Sequence, residues 1–133
     1  MSQLAFVVDD SMLIRHAVCR FFEERDFAVE SATSGAEALE MLGHLSPAVI
    51  ITDLKMPKMD GYELMAALKA RPDTAHIPIV VLSSNQTPEN RLLKTAKHII
   101  FKDIDIEVQL QRVLDSLFPE RAAELAKSKR RLG

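Results

Sequence analysis

A chain of 133 residues has room for one domain with a single hydrophobic core and is too short for two of ordinary size. Hydrophobic residues make up 47% of it and charged residues 27%, a balance that argues against wholesale disorder, and no apolar run approaches the ~20 residues of a membrane span. The net charge of −2 is uneven: residues 119–133 hold five basic side chains against two acidic ones, whereas the first 118 residues hold 12 basic and 17 acidic, and so acidic a body argues against a nucleic-acid-binding core.

The chain opens on a strand, expected over Leu4–Asp9 and running straight into Asp10, with no basic and apolar leader of the secretory kind before it. A helix follows, with Ile14, Ala17, Val18, Phe21 and Phe22 at helical spacing. Within it lies Cys19, which reads as a packing residue; a lone cysteine cannot form an intramolecular disulfide and suits a reducing, cytoplasmic setting. A second strand is expected near Phe27–Ser31. Ser34-Gly35-Ala36-Glu37 has the pattern of a capping box and opens a second helix carrying Ala38, Leu39, Met41, Leu42 and Leu45.

The third strand, Val49–Asp53, ends in a carboxylate and turns through Leu54-Lys55-Met56-Pro57-Lys58-Met59-Asp60-Gly61. Met56-Pro57 shapes that loop. Asp60 caps the third helix and Gly61 opens it; its apolar face is Leu64, Met65 and Leu68, and Pro72 stops it. A fourth strand is expected over Ile79–Ser83, and Thr87-Pro88-Glu89 then opens a short fourth helix. The fifth strand, His98–Lys102, leads to a fifth helix that carries Ile104, Val108, Leu110, Val113, Leu114 and Leu117. Beyond it Pro119-Glu120-Arg121 can start a further helix, supported by Ala122, Ala123, Leu125 and Ala126, with Lys127, Lys129, Arg130 and Arg131 suited to its C-terminus. That segment reads as a solvated extension, a partner-docking helix or a nucleic-acid contact.

Strict β–α alternation implies an α/β fold with a parallel sheet and helices on both faces. In such sheets the ligand crevice lies beyond the carboxyl ends of the strands, at the topological switch point. Asp9, Asp10, Asp53, Ser83 and Lys102 all fall at those ends. Carboxylates converging there repel one another unless a cation sits among them, and a hard dication such as Mg²⁺ suits oxygen ligands. The four histidines (His16, His44, His76, His98) show no ligand spacing.

Val8-Asp9-Asp10-Ser11, the run Asp53–Gly61, Ser83 and Lys102 together resemble the receiver domain of two-component response regulators, over residues 3 to about 118. The resemblance implies a doubly wound (βα)5 flavodoxin-like fold with strand order 2-1-3-4-5, a receiver over residues 1–118 and a basic helical extension over 119–133 without an output domain. It implies a single-domain signalling protein of a phosphorelay rather than an enzyme acting on small substrates. Asp53 would accept a phosphoryl group from a histidine kinase or a histidine phosphotransfer protein and be hydrolysed later by the domain itself. Asp10, Asp53 and the backbone carbonyl of Lys55 would bind Mg²⁺ directly, with Asp9 acting chiefly through a coordinated water. Lys102 would reach one phosphoryl oxygen and the Ser83 hydroxyl another. The phosphorylated form would engage a downstream protein target that the sequence does not name.

Three departures stand out against that family. Asp103 follows Lys102, where receivers carry a proline with a cis bond; Asp103 either pairs with Lys102 or caps the fifth helix. Ile99 stands three before the lysine, where an aromatic residue swings inward as the Ser or Thr hydroxyl engages phosphate, so Ser83 and Ile99 are the expected switch pair. Ser83 and Lys102 are 19 apart, shorter than is general, and Thr95-Ala96 replaces Gly-Ala before the last strand. Output is therefore expected through the active-site loops, the first helix or the C-terminal segment. Lys55 and Asn85, each two residues after a site residue, border the path of attacking water and tune the lifetime of the phosphate. Two rival classes remain open. A free-standing aspartyl phosphohydrolase would want an acid two residues after the nucleophile, where Lys55 stands. A non-phosphorylated scaffold would act purely by protein–protein binding.

Overall fold

β-Branched runs alternating with amphipathic segments produce five strands in one parallel sheet, in a computed structural model that describes residues 3–84 and 96–124. The strands are β1 (Leu4–Val8), β2 (Ala28–Ala32), β3 (Val49–Asp53), β4 (Ile79–Ser83) and β5 (His98–Phe101). The helices are α1 (Met12–Glu23), α2 (Gly35–Met41), α3 (Gly61–Ala70) and α4 (Ile106–Leu117). The sheet order is β2-β1-β3-β4-β5, the doubly wound arrangement expected from the sequence. Asn85, Thr95, the helix expected to open at Thr87 and the basic residues Lys127, Lys129, Arg130 and Arg131 lie outside the described residues. The helix named α4 is thus the one counted fifth from the sequence. No helix of the described residues is long and apolar enough to cross a membrane.

Because side chains alternate across a strand, each run feeds two layers. Ala5, Val7, Val49, Ile51, Val80, Leu82 and Ile100 face one side, where Val18, Phe21 and Phe22 of α1 and Leu110 and Leu114 of α4 cover them. Phe6, Val8 and Ile50 face the other, against Ala38 and Leu42 of the α2 segment and Leu64 and Leu68 of α3. Ile99 is half-buried against Met65, Val81 and Ala96 on the α3 side. Cys19 packs on the first layer, and burial, then the nearby Glu23 carboxylate, pushes its thiol above the ordinary range, as befits a packing residue.

The helix starts follow local chemistry, with three differences from expectation. The Ser34 hydroxyl accepts from Glu37 N–H at 3.1 Å, but the Glu37 carboxylate takes the Thr33 hydroxyl at 3.2 Å, so only half of a capping box is built. The complete box is at α3, where Asp60 Oδ1 accepts from Glu63 N–H at 2.9 Å and Glu63 accepts in return from Asp60 N–H. Asp105, not Asp103, caps α4: its carboxylate accepts from Glu107 and Val108 N–H. The helix starts two residues later than Ile104, which leaves Ile104 50% and Val108 47% exposed, while Ile106 turns to the core with Leu110 and Leu114. Ala17 likewise faces solvent.

At the edge of the sheet opposite the functional rim, a chain of aromatic rings runs Phe21–Phe22–Phe27–Phe118, with each neighbouring pair edge-on at 5.1–5.7 Å between centroids. After α4 the backbone breaks helical geometry at Phe118 and turns into a new helical stretch, 119–124. Arg121 ties that stretch to the body. Its guanidinium lies 3.9 Å from the Phe27 ring centroid, donates to Gln3 Oε1 at 2.6 Å and to the Arg25 carbonyl at 2.8 Å. Arg121→Ala removes a stacked cation and two hydrogen bonds, and should lower unfolding free energy by about 1–2 kcal/mol. Urea titration followed by circular dichroism checks this; a midpoint equal to wild type would mean that the contact contributes nothing.

Candidate functional site

Parallel strands present all their carboxyl ends to one rim, and registration decides which of those ends meet. Val8 lies beside Thr52, so the next residues, Asp9 and Asp53, emerge side by side where β1 and β3 diverge toward opposite flanks of the sheet. Ser83 pairs with Phe101, and Lys102 N–H donates to the Ser83 carbonyl at 2.8 Å, which sets the lysine across β4 from the carboxylates. Asp9, Asp53 and Ser83 are buried, and Asp10 is exposed above them.

Ligand oxygens of Asp9, Asp10 and Asp53 all lie within 4.8 Å of one another. Two like charges 4 Å apart repel by about 1 kcal/mol in water and about 4 at the effective dielectric of a protein surface, so burial makes the cluster costly. The Lys102 ammonium offsets part of this repulsion, 3.0 Å from Asp53 Oδ1 and 3.4 Å from Asp9 Oδ2. Among the described residues those two carboxylates are its ion-pair partners; Asp103 is exposed and not one of them, and the peptide bond after Lys102 is trans. Burial alone would pull the Lys102 pKa down, but the hydrogen bond and charge of Asp53, with Asp9 behind it, outweigh this and raise it. Its stabilisation is therefore complete below the ordinary lysine value and fades only as pH rises through the higher folded one.

Asp9 is shifted upward as well. Burial is the main cause, opposed by the Ser11 N–H that donates to Asp9 Oδ1 at 2.8 Å, reinforced by the Asp53 charge and eased by Lys102. Among the described residues its other oxygen, Oδ2, is buried without a geometric hydrogen-bond partner, and Lys102 at 3.4 Å faces it as a charge. An orphaned buried carboxylate oxygen beside two further carboxylates is the donor set of a hard divalent cation, so the site fits Mg²⁺.

Neighbouring loops hold these groups rigidly. Ser11 caps α1 by accepting from Ile14 N–H, and Arg15, one turn further, donates from Nη1 to the Asp9 carbonyl at 2.9 Å. The Thr52 hydroxyl donates to the Asp53 carbonyl at 3.0 Å. Beyond Asp53 the loop is pinned by buried Met56, and Lys58 takes a left-handed φ of 68°, a strain of about 1 kcal/mol for a side chain. Gly61 N–H donates to the Leu54 carbonyl at 2.8 Å, and a Cβ on Gly61 would lie only 2.7 Å from the Asp53 carbonyl oxygen. Glycine is therefore required here so that the start of α3 can press directly on the backbone of Asp53. Lys55 is exposed at the mouth of this loop. Sequence reasoning singled out the carboxylates, Ser83 and Lys102 but not Arg15 or Thr52; an arginine one turn inside the helix that follows the carboxylate pair was the available signal for Arg15.

The profile of the response regulator receiver domain matches residues 5–114. The chain belongs to that family. This receiver is 36% identical over 114 residues to a two-component response regulator of Oryza sativa subsp. japonica, an alignment covering 82% of this chain and 93% of the rice protein. It superposes on the chemotaxis response regulator of Vibrio cholerae with a TM-score of 0.79 at 28% identity, covering 88% of this chain and 99% of the other. The receiver domain of a sensor histidine kinase from Pseudomonas aeruginosa PAO1, solved with magnesium in its active-site cleft, shares the fold at a TM-score of 0.79 and 20% identity, over 90% of this chain and 99% of the other. Other relatives are far longer. The receiver spans 11% of a gliding motility regulatory protein of Myxococcus xanthus, at 36% identity over 64% of this chain, and 23% of a probable cyclic di-GMP phosphodiesterase of Vibrio cholerae, at 31% identity over 74% of it.

Without metal, ionised Asp9 lowers stability because it is buried beside the Asp53 charge and one of its oxygens, Oδ2, has no hydrogen-bond donor among the described residues. Asp9→Asn should raise unfolding free energy at neutral pH by about 1 kcal/mol in EDTA. Added Mg²⁺ should stabilise the wild type by mass action and the variant by less, narrowing or reversing the gap between them. Thermal melts with and without Mg²⁺ check this; a variant less stable than wild type in EDTA would contradict it.

Proposed function

We propose that this receiver is a phosphoacceptor switch: Asp53 takes a phosphoryl group from a histidine kinase or histidine phosphotransfer protein in the cytoplasm, and the modified domain changes its binding to a downstream protein. The observation that carries the reading is the meeting of the Lys102 ammonium with Asp53 and Asp9 at 3.0 and 3.4 Å beside a third carboxylate, Asp10. A carboxylate oxygen of Asp53 attacks the phosphorus of phosphohistidine; the P–O bond forms as the P–N bond breaks, and the histidine nitrogen leaves with its electron pair and takes up a proton. Water later attacks the same phosphorus, returning the carboxylate and inorganic phosphate.

The carboxylates of Asp9, Asp10 and Asp53 and the carbonyl of Lys55 would hold Mg²⁺, with Asp9 acting chiefly through a bound water. That ion supplies charge neutralisation for the phosphoryl oxygens. The chain's own groups do the rest, since phosphoryl transfer needs positioning and electrostatic stabilisation above all. Lys102 exchanges part of its hold on the carboxylates for a phosphoryl oxygen. The Ser83 hydroxyl takes another, drawing the end of β4 inward, with Ile99 as the neighbouring side chain that repacks. Lys55, exposed at the mouth of the site, and Asn85, two residues after Ser83 in the sequence, tune the hydrolysis rate.

Acetyl phosphate with Mg²⁺ should add one phosphoryl group to the wild type and none to Asp53→Asn, read by intact mass, and EDTA should abolish the gain. A wild type that gains no phosphoryl mass, like the variant, would instead support a scaffold that works by binding alone.

A further inference from the structure

Among the described residues β5 is the outermost strand on its side of the sheet, so half of its backbone groups have no strand partner there. Lys102 N–H points inward to the Ser83 carbonyl, and alternation along the strand turns the N–H and carbonyl of Phe101 outward. The side-chain amide of Gln109, on α4, closes both. Its Oε1 accepts from Phe101 N–H at 2.9 Å, and its Nε2 donates to the Phe101 carbonyl at 2.9 Å and to the Asp105 carbonyl at 3.2 Å. The Phe101 carbonyl also accepts from Ile104 N–H at 3.3 Å, which closes the turn carrying Lys102. One amide side chain thus mimics the backbone of an added strand at a single residue. Its orientation is fixed by the pattern, because a flipped amide would set donor against donor and acceptor against acceptor.

This grip falls on the two peptide units that flank Phe101, the second of which leads directly into Lys102. No proline ring stiffens the turn after it, since Asp103 follows and the bond is trans. The lysine backbone is held instead from both sides, by β4 through its own N–H and by α4 through Phe101. We infer that Gln109 is a positioning residue: by clasping Phe101 at both backbone groups it aims the Lys102 ammonium at the phosphoryl oxygens. This inference rests on the phosphoacceptor reading. It separates two sets of groups in the site. The carboxylates that would bind the metal follow β1 and end β3 and do not depend on Gln109, whereas Lys102 does.

The test compares wild type with Gln109→Met, which keeps side-chain length and helix propensity but loses both bonds, and with Gln109→Glu, which keeps only acceptance from Phe101 N–H. Calorimetry measures the affinity for Mg²⁺ alone and for beryllofluoride in saturating Mg²⁺, and NMR measures hydrogen exchange of the Phe101 amide. For Gln109→Met the Phe101 amide should exchange at least about fivefold faster and beryllofluoride should bind about tenfold more weakly, as loss of a charge-assisted contact implies. Mg²⁺ affinity should stay within about twofold, with Gln109→Glu intermediate for beryllofluoride. Unchanged beryllofluoride affinity in Gln109→Met, or a parallel loss of Mg²⁺ affinity that marks general loosening, would overturn the inference alone. A wild type that binds no beryllofluoride would overturn the phosphoacceptor reading and this inference with it.

Discussion

Asp9 and Asp53, both buried, compete for one ammonium group, and every other feature of the rim follows from that imbalance. One lysine cannot neutralise two carboxylates in a low-dielectric setting, still less a third in Asp10. Asp9 Oδ2 is left without a donor, and its carboxyl is pushed toward the protonated form. A site of this kind holds stored repulsion that a dication can discharge. Under the proposed function, Lys102 would then give up part of its hold on the carboxylates for a phosphoryl oxygen, so that one side chain would serve in turn as counterion and as phosphate ligand.

Holding that arrangement is the task of the sheet. A parallel sheet with both faces covered gives the strand ends no freedom to splay apart, so repulsion cannot be relieved by moving β1 away from β3. Small contacts complete the constraint. Gly61 brings α3 against the Asp53 carbonyl, Arg15 fixes the Asp9 carbonyl from α1, and Ser11 N–H selects which Asp9 oxygen stays inside. The aromatic chain and Arg121 stabilise the far edge, away from the chemistry, and so leave the rim free to carry strain.

Much of this was legible from residue order. Asp53 ends an uninterrupted apolar run, so its place at a strand terminus needed only the strand itself; Asp9 and Lys102 fall one residue past their strands for the same reason. The start of α4 was misplaced because Ile104 and Val108 are apolar yet lie beyond or off its buried stripe. Ile106, Leu110, Val113 and Leu117 form that stripe, and Asp105 rather than Asp103 supplies the cap. Glu37 matched a reciprocal cap in sequence but met the Thr33 hydroxyl first. Gln109 escaped for a deeper reason: it acts on the backbone N–H and carbonyl of Phe101, brought within reach by the packing of α4 on β5, and no spacing rule encodes such a partner. Arg15 and Thr52 act on backbone carbonyls close by in the chain, bonds that a reading of apolar periodicity does not register.

A crystal structure with Mg²⁺ and beryllofluoride bound would test the central claim most directly. The account predicts an ion held among Asp9, Asp10 and Asp53, beryllium on an Asp53 oxygen, and the Lys102 ammonium moved from Asp9 onto a fluoride. A complex in which Lys102 keeps both carboxylates and takes no part in binding the adduct would contradict it.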